Sequence, residues 1–173
     1  MMNKPPLVKA IAAYPGTFDP VTRGHEALLR RAATMFDSVI MAVAAEPQKE
    51  TLFNIEERVE MCTIIAGEYE NVRVMPVPGL LAKFLATNSC SLIVRGMRTV
   101  GDFEYEMHLA DINRRLAGIE TVFLTPPNEY IHVFSSLVRE LARLGGNVDH
   151  YVKPAIAERL IGKFCASDKD ERK

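Results

Sequence analysis

Cysteine is too scarce and too scattered to organise this chain. Cys62, Cys90 and Cys165 are odd in number, widely spaced and form no Cys-x-x-Cys pair. That argues against a disulfide framework and a zinc site, and fits free thiols in a reducing compartment. An excess of charge is also lacking. Twenty-one Lys and Arg face twenty-two Asp and Glu. Non-specific nucleic-acid binding is therefore not expected, and an anionic ligand must be met by local basic clusters. No apolar run approaches the roughly 20 residues that span a bilayer, so no membrane partner is expected. The apolar stretch after MMNKPP is too short for a signal peptide. It reads as a buried first strand, with the cytoplasm as the default location. Internal repeats and linkers are absent too. The 173 residues suit one domain around one core, expected over 1–166, with a charged tail over 167–173 that is assigned no function.

What is present is alternation. Short apolar runs over 8–13, 38–44, 72–77, 91–94 and 121–124 read as strands buried on both faces. Longer helical runs lie between and after them, over 24–36, 54–66, 79–86, 100–116, 135–144 and 154–164. Asn54 with Glu57 three residues on forms a capping-box pattern. Strict alternation predicts an α/β fold, a doubly wound five-stranded parallel sheet of Rossmann-like type with right-handed crossovers. Such sheets bind ligands beyond the carboxyl ends of their strands, so the residues after each strand are the candidates for chemistry.

After the first strand comes Tyr14-Pro15-Gly16-Thr17-Phe18-Asp19-Pro20-Val21-Thr22-Arg23-Gly24-His25. The two glycines permit tight turns, and Thr17 offers a hydroxyl and an N–H. His25 opens the first helix, where free N–H groups and the helix dipole favour an anion and where imidazole can carry charge near neutral pH. The second strand is followed by Glu46-Pro47-Gln48-Lys49, which puts a compact cation on a post-strand loop. The fourth runs into Arg95-Gly96-Met97-Arg98, a candidate phosphate clamp of two guanidinium forks. Glu104 and Glu106 follow on a helical run; His108 gives them no third ligand, so they do not read as a metal site. After the fifth strand comes Tyr130-Ile131-His132-Val133-Phe134-Ser135-Ser136-Leu137-Val138-Arg139. Its two serines would open a helix and expose N–H groups to a phosphate.

The first of these segments closely resembles the (His/Thr)-x-Gly-His motif of the nucleotidyltransferase superfamily, and the string YPGTFDP…GH is similar to phosphopantetheine adenylyltransferases in particular. Arg95–Arg98 resembles that family's Arg-Gly-Leu-Arg, and 133–139 its Ile-Ser-Ser-Ser/Thr-x-Val-Arg. The likeness covers roughly residues 8–160, with the motifs in family order. It implies transfer of the adenylyl group of ATP to 4′-phosphopantetheine, giving dephospho-coenzyme A and pyrophosphate. By that resemblance His25 and Lys49 stabilise the reacting phosphorus and Thr17 holds the incoming phosphate. Lys49, Leu81 and Arg95 face the phosphopantetheine side. Thr17, Phe18, His25, Gly96, Met97, Arg98 and Glu106 face the nucleotide, with the stretch Tyr130, Ile131, His132, Val133, Phe134, Ser135 and Ser136. His132 has no individual role in that stretch. Three positions depart from the family pattern: Glu46 stands where a small polar residue is usual, Met97 replaces leucine, and Phe134 replaces the first serine.

No serine or cysteine is paired with a base, so direct in-line attack without a covalent intermediate is expected. Magnesium should accompany ATP, held by phosphates and water, with no metal site of the protein's own. The family also implies a homohexamer. Leu80, Leu81, Phe84 and Leu85 could line a channel for the acceptor's arm, or could equally be core. The nearest rivals are other adenylyl- or cytidylyltransferases of the same fold; a nucleotide-sensing module and a synthetase fragment fit the intact motifs and the length less well.

Overall fold

The computed structural model of the chain describes residues 8–46 and 50–170. Five strands, β1 (Val8–Gly16), β2 (Phe36–Ala44), β3 (Val72–Val77), β4 (Leu92–Gly96) and β5 (Glu120–Leu124), form one parallel sheet in the order β3-β2-β1-β4-β5. Between and after them run α1 (Arg23–Met35), α2 (Ile55–Ala66), α3 (Leu81–Thr87), α4 (Val100–Ala117), α5 (Ser135–Arg143) and α6 (Pro154–Asp170). The order reverses between β1 and β4, which pair through Ala12 with Leu92 and Ala13 with Ile93. The carboxyl ends of these two strands therefore flank the crevice where an open α/β sheet binds its ligand.

The period of the strands divides the core in two. Val39, Met41 and Val43 of β2 point to one face; Ile40 and Ala42 point to the other. The first face packs on Leu28, Leu29 and Ala32 of α1, Met61 and Ile65 of α2, and Ile156 and Leu160 of α6. The second packs on Phe84 and Leu85 of α3, with Cys90 and Ile119. Long apolar strands are thus buried on both sides, which is why they read as runs and not as alternation. Edge strand β3 tolerates Pro76, whose missing N–H a central strand could not spare.

Helix starts follow local chemistry. Asn54 Oδ1 accepts from the Glu57 amide at 2.8 Å, and Glu57 Oε2 accepts from the Asn54 amide at 2.9 Å. The expected capping box is made. Several boundaries shift by a residue or two, and two differ by three residues or more from the sequence reading. Strand β1 continues to Gly16, because Tyr14, Pro15 and Gly16 stay in register with Met41, Ala42 and Val43. Helix α6 continues to Asp170, into the segment read as a tail, because that segment contains no proline or glycine to stop it. Among the described residues no helix is long and apolar enough to cross a membrane.

Candidate active site

A cleft of about 730 Å³ opens over the carboxyl ends of β1 and β4. Three turns build it: the β1–α1 turn, the β4–α4 turn and the segment that leads from β5 into α5.

The β1–α1 turn is shaped around Phe18. Its φ of 52° lies in the left-handed region, which costs an aromatic residue on the order of 1–3 kcal/mol. The surroundings hold it there. The ring packs edge-on to Tyr14 at 5.5 Å and to His25 at 5.2 Å. A Cβ on Gly16 would sit 2.7 Å from the same ring, so only glycine leaves it room. His25 is then fixed from its other side. Its Nδ1 accepts the Thr22 amide at 3.0 Å, so the neutral ring carries its proton on Nε2, the nitrogen left for a ligand. Burial, with the Arg98 and Arg95 guanidinium groups close by, lowers His25 from 6.5 to about 4. The ring is therefore neutral at pH 7, which corrects the expectation of a charge near neutrality. It remains a hydrogen-bond donor, and a bound anion would favour its protonation.

Behind this turn stands a frame of buried charge. Arg58 is buried within α2, and it donates through Nη1 to the Thr17 carbonyl at 2.9 Å and the Ala44 carbonyl at 2.7 Å. Its Nε donates to the Phe53 carbonyl at 3.1 Å. One guanidinium thus ties the ends of β1 and β2 to the entrance of α2. The Asp19 carboxylate, also buried, accepts from the Leu52 and Phe53 amides at 2.9 Å each and from Arg139 Nη1 at 2.9 Å. Arg139 donates to the Asp19 carbonyl as well. Ser135 Oγ donates to the Pro20 carbonyl at 2.8 Å, so α5 is fastened to the β1–α1 turn twice.

On the opposite wall, Arg95 makes a bidentate pair with Glu106, Nε to Oε2 at 2.7 Å and Nη2 to Oε1 at 2.6 Å. Its Nη1 donates to the Pro15 carbonyl at 2.8 Å. Burial alone would lower the Arg95 pKa; the Glu106 carboxylate outweighs it and the pKa is raised. Three of the five guanidinium N–H groups are engaged, which leaves two for a ligand. A Cβ on Gly96 would come within 2.5 Å of Leu28 Cδ1, so a larger residue there would have to push the Leu28 side chain aside. Arg98 reaches Asp102 with Nε at 3.3 Å and lies over the Phe134 ring at 5.7 Å. Phe134, not a serine, is the N-cap of α5 and makes no side-chain cap bond. The amides of Ser135 and Ser136 occupy the first helical positions, where an α-helix supplies no acceptor.

The sequence-predicted residues converge to a large extent. Thr17, Phe18 and His25 line the cleft from one side, Arg95, Gly96, Arg98 and Glu106 from the other. Tyr130, Val133, Phe134, Ser135 and Ser136 close it, and Leu81 reaches its floor. Met97, Ile131 and His132 lie beside the cleft and not in its lining; the Met97 amide is bonded to the Leu124 carbonyl. Lys49 falls outside the described residues. The open choice over the leucine stretch is settled by burial. Phe84 and Leu85 belong to the core under α3, and Leu80 is exposed, so of the four only Leu81 faces the cleft.

Residues 13–141 match the cytidylyltransferase-like family model. Two curated proteins named phosphopantetheine adenylyltransferase are close relatives. That of Paraburkholderia phymatum is 47% identical over 90% of this chain and 94% of its own length. That of Aromatoleum aromaticum is 49% identical over 91% of this chain and 97% of its own. The chain belongs to the phosphopantetheine adenylyltransferase family. Among solved structures, the nicotinic acid mononucleotide adenylyltransferase of Plasmodium falciparum in complex with NaAD superposes with a TM-score of 0.67, covering 93% of this chain and 97% of its own. At 14% identity that likeness speaks for the fold alone.

Within this family member, sequence reasoning left the roles of Asp19, Arg58 and Arg139 unread. Arg58 sits on an amphipathic helix with no motif of its own, where arginine is ordinarily solvated. Asp19 and Arg139 stand inside quoted motifs, and opposite charges in two motifs were a usable hint of a pair.

Proposed function

We propose that the chain transfers the adenylyl group of ATP to 4′-phosphopantetheine, producing dephospho-coenzyme A and pyrophosphate. The observation that carries this reading is the convergence of the His25 ring, the Arg95 and Arg98 guanidinium groups and the amino end of α5 on one cleft, in a member of this family. These are four donor groups of three kinds aimed at one volume, and phosphate oxygens are their natural acceptors.

In the proposed reaction a phosphate oxygen of the acceptor attacks the α-phosphorus of ATP in line. The bond from that phosphorus to the bridging oxygen of pyrophosphate breaks, and pyrophosphate leaves with the electron pair. No residue need form a covalent bond. Thr17 holds the attacking phosphate. His25 donates from Nε2 to the oxygens that gain charge, assisted by Lys49, which follows β2 in the sequence. Arg98 and the Ser135–Ser136 amides hold the β- and γ-phosphates. Arg95, already braced by Glu106, meets the acceptor end with its two remaining donors. This is catalysis by positioning and by charge stabilisation in the transition state.

Magnesium is the proposed companion of ATP. Among the described residues no cluster of three or more His, Cys, Asp or Glu could hold a metal ion. Of the acids that line the cleft, Asp19, Glu46, Glu50 and Glu106, two are already engaged, Asp19 by Arg139 and two amides and Glu106 by Arg95. The residues do not form a metal cage, so the cation would ride on the phosphates, and no step above runs through it. The cytoplasm is the proposed location. A homo-oligomer, of six copies by the family resemblance, is the proposed assembly. In its support, α4 exposes Phe103, Tyr105, Met107, Ile112 and Leu116, many large apolar side chains for one helix of a lone chain. Light scattering at micromolar concentration tests this, and a monomer would reject it.

The deciding assay is pyrophosphate release from ATP and magnesium with 4′-phosphopantetheine, nicotinate mononucleotide or glycerol 3-phosphate as acceptor. Release with 4′-phosphopantetheine alone is expected. Release only with another acceptor would overturn the substrate and keep the reaction type.

A further inference from the structure

Phe134 stands where the resembling motif has a serine, and it does something a serine cannot. As N-cap of α5 it makes no side-chain cap bond, so the ordinary reason for a residue there is missing. It is also 41% exposed, so core packing does not account for it either. Its ring lines the cleft and lies 5.7 Å from the Arg98 guanidinium carbon. Among the described residues the side-chain hydrogen bond of Arg98 is the 3.3 Å bond to Asp102, and both of those side chains are about a third exposed. Such a contact alone leaves a long side chain many rotamers. A ring face restricts them without using the in-plane N–H groups, because cation–π attraction acts through the flat side of the guanidinium.

We propose that Phe134 is a positioning residue for Arg98, its ring holding the guanidinium across the cleft between the β4–α4 turn and the start of α5 with the N–H fork free for a polyphosphate. This deepens the function proposed above and rests on Arg98 meeting the phosphates of ATP. The serine of the motif would supply one hydroxyl; the phenylalanine supplies an ordered arginine instead.

The test uses the full chain and four variants: Phe134→Leu, Phe134→Tyr, Arg98→Ala and Phe134→Leu with Arg98→Ala. Phe134→Leu should raise the KM for ATP about 3- to 10-fold, the worth of a partly exposed cation–π contact. The kcat should change less than about 2-fold if the loss is one of binding. Phe134→Tyr keeps the π face and should retain the parent KM. In the Arg98→Ala background, Phe134→Leu should add nothing. An independent readout needs neither ATP nor turnover: the Arg98 Nε–H resonance should carry a ring-current shift that survives in Phe134→Tyr and vanishes in Phe134→Leu. An unshifted resonance in the parent chain overturns the proposal, whatever the enzyme assay says. So does a Phe134→Leu effect that persists undiminished without Arg98, for the ring would then act on the nucleotide itself. If the resonance behaves as expected and ATP does not bind, the pair stands as geometry and the adenylyl-transfer reading is what fails.

Discussion

Two turns deliver hydrogen-bond donors to the same cleft and are held in opposite ways. The β1–α1 turn is tied to distant parts of the fold through buried groups. Arg58 grips the Thr17 and Ala44 carbonyls, and Asp19 collects the Leu52 and Phe53 amides with Arg139. The β4–α4 turn, by contrast, is braced mainly by its own helix, Arg98 to Asp102 four residues on and Arg95 to Glu106 eleven residues on. In the first turn position and global stability are inseparable. In the second, Arg98 can be altered with little effect on the fold. The difference places a histidine fixed by its own buried turn opposite an arginine held by Asp102 and the Phe134 ring, which suits the proposed reaction, in which one acts at the reacting phosphorus and the other meets the polyphosphate.

The sharpest way to break this comparison is His25→Ala. It should lower turnover roughly 100- to 1000-fold, about 3 kcal/mol of transition-state stabilisation, with a milder loss of ATP binding. Pyrophosphate release under saturating substrates measures it; unchanged turnover with weaker ATP binding would remove His25 from the chemistry. Next is Arg58→Met, which strands one buried and two part-buried carbonyls and should cost about 3 kcal/mol in urea unfolding. A loss under about 1 kcal/mol would show that the frame is not what holds the turn. Arg98→Ala should do the reverse, raising the KM for ATP about 10-fold while stability stays within about 0.5 kcal/mol of the parent.

A further effect is one of pH. His25 is lowered by burial and the nearby arginines to about 4 in the folded chain, against 6.5 unperturbed. Between these values the unfolded state binds the proton and the folded state does not, so His25 makes stability fall as pH drops from about 6.5 toward 4 and has no such effect above 6.5. Titration of the His25 ring by NMR should give a midpoint well below 6, moving up when a phosphate anion is bound. A midpoint at 6.5 in the chain alone would contradict the burial account.

The reach of the sequence differs between fold and site. Each strand and helix was legible because its signal is local: an apolar run, a helical period, the Asn54–Glu57 box. Their alternation also placed Thr17, His25, Arg98 and Ser135 at the ends of strands facing one crevice. The frame was not legible. Arg58 meets the Thr17 carbonyl across 41 positions, and Arg139 meets Asp19 across 120. A carbonyl acceptor carries no residue identity, so nothing in the letters marks Arg58 as different from a solvated arginine. The leucine stretch was ambiguous for a related reason: a channel wall and a core helix demand the same apolar residues, and only burial separates Leu81 from Phe84 and Leu85.

By itself, then, the sequence determined the order of elements, the sheet's parallel character and which chemistry reaches the strand ends, because period and loop position are properties of neighbouring residues. The tertiary structure alone decided that His25 is neutral, that Arg58 and Asp19 form the frame, and that Phe134 lies against Arg98. Protonation, burial and cross-loop contact depend on the field and packing of groups far apart in the chain, and those exist only once it has folded.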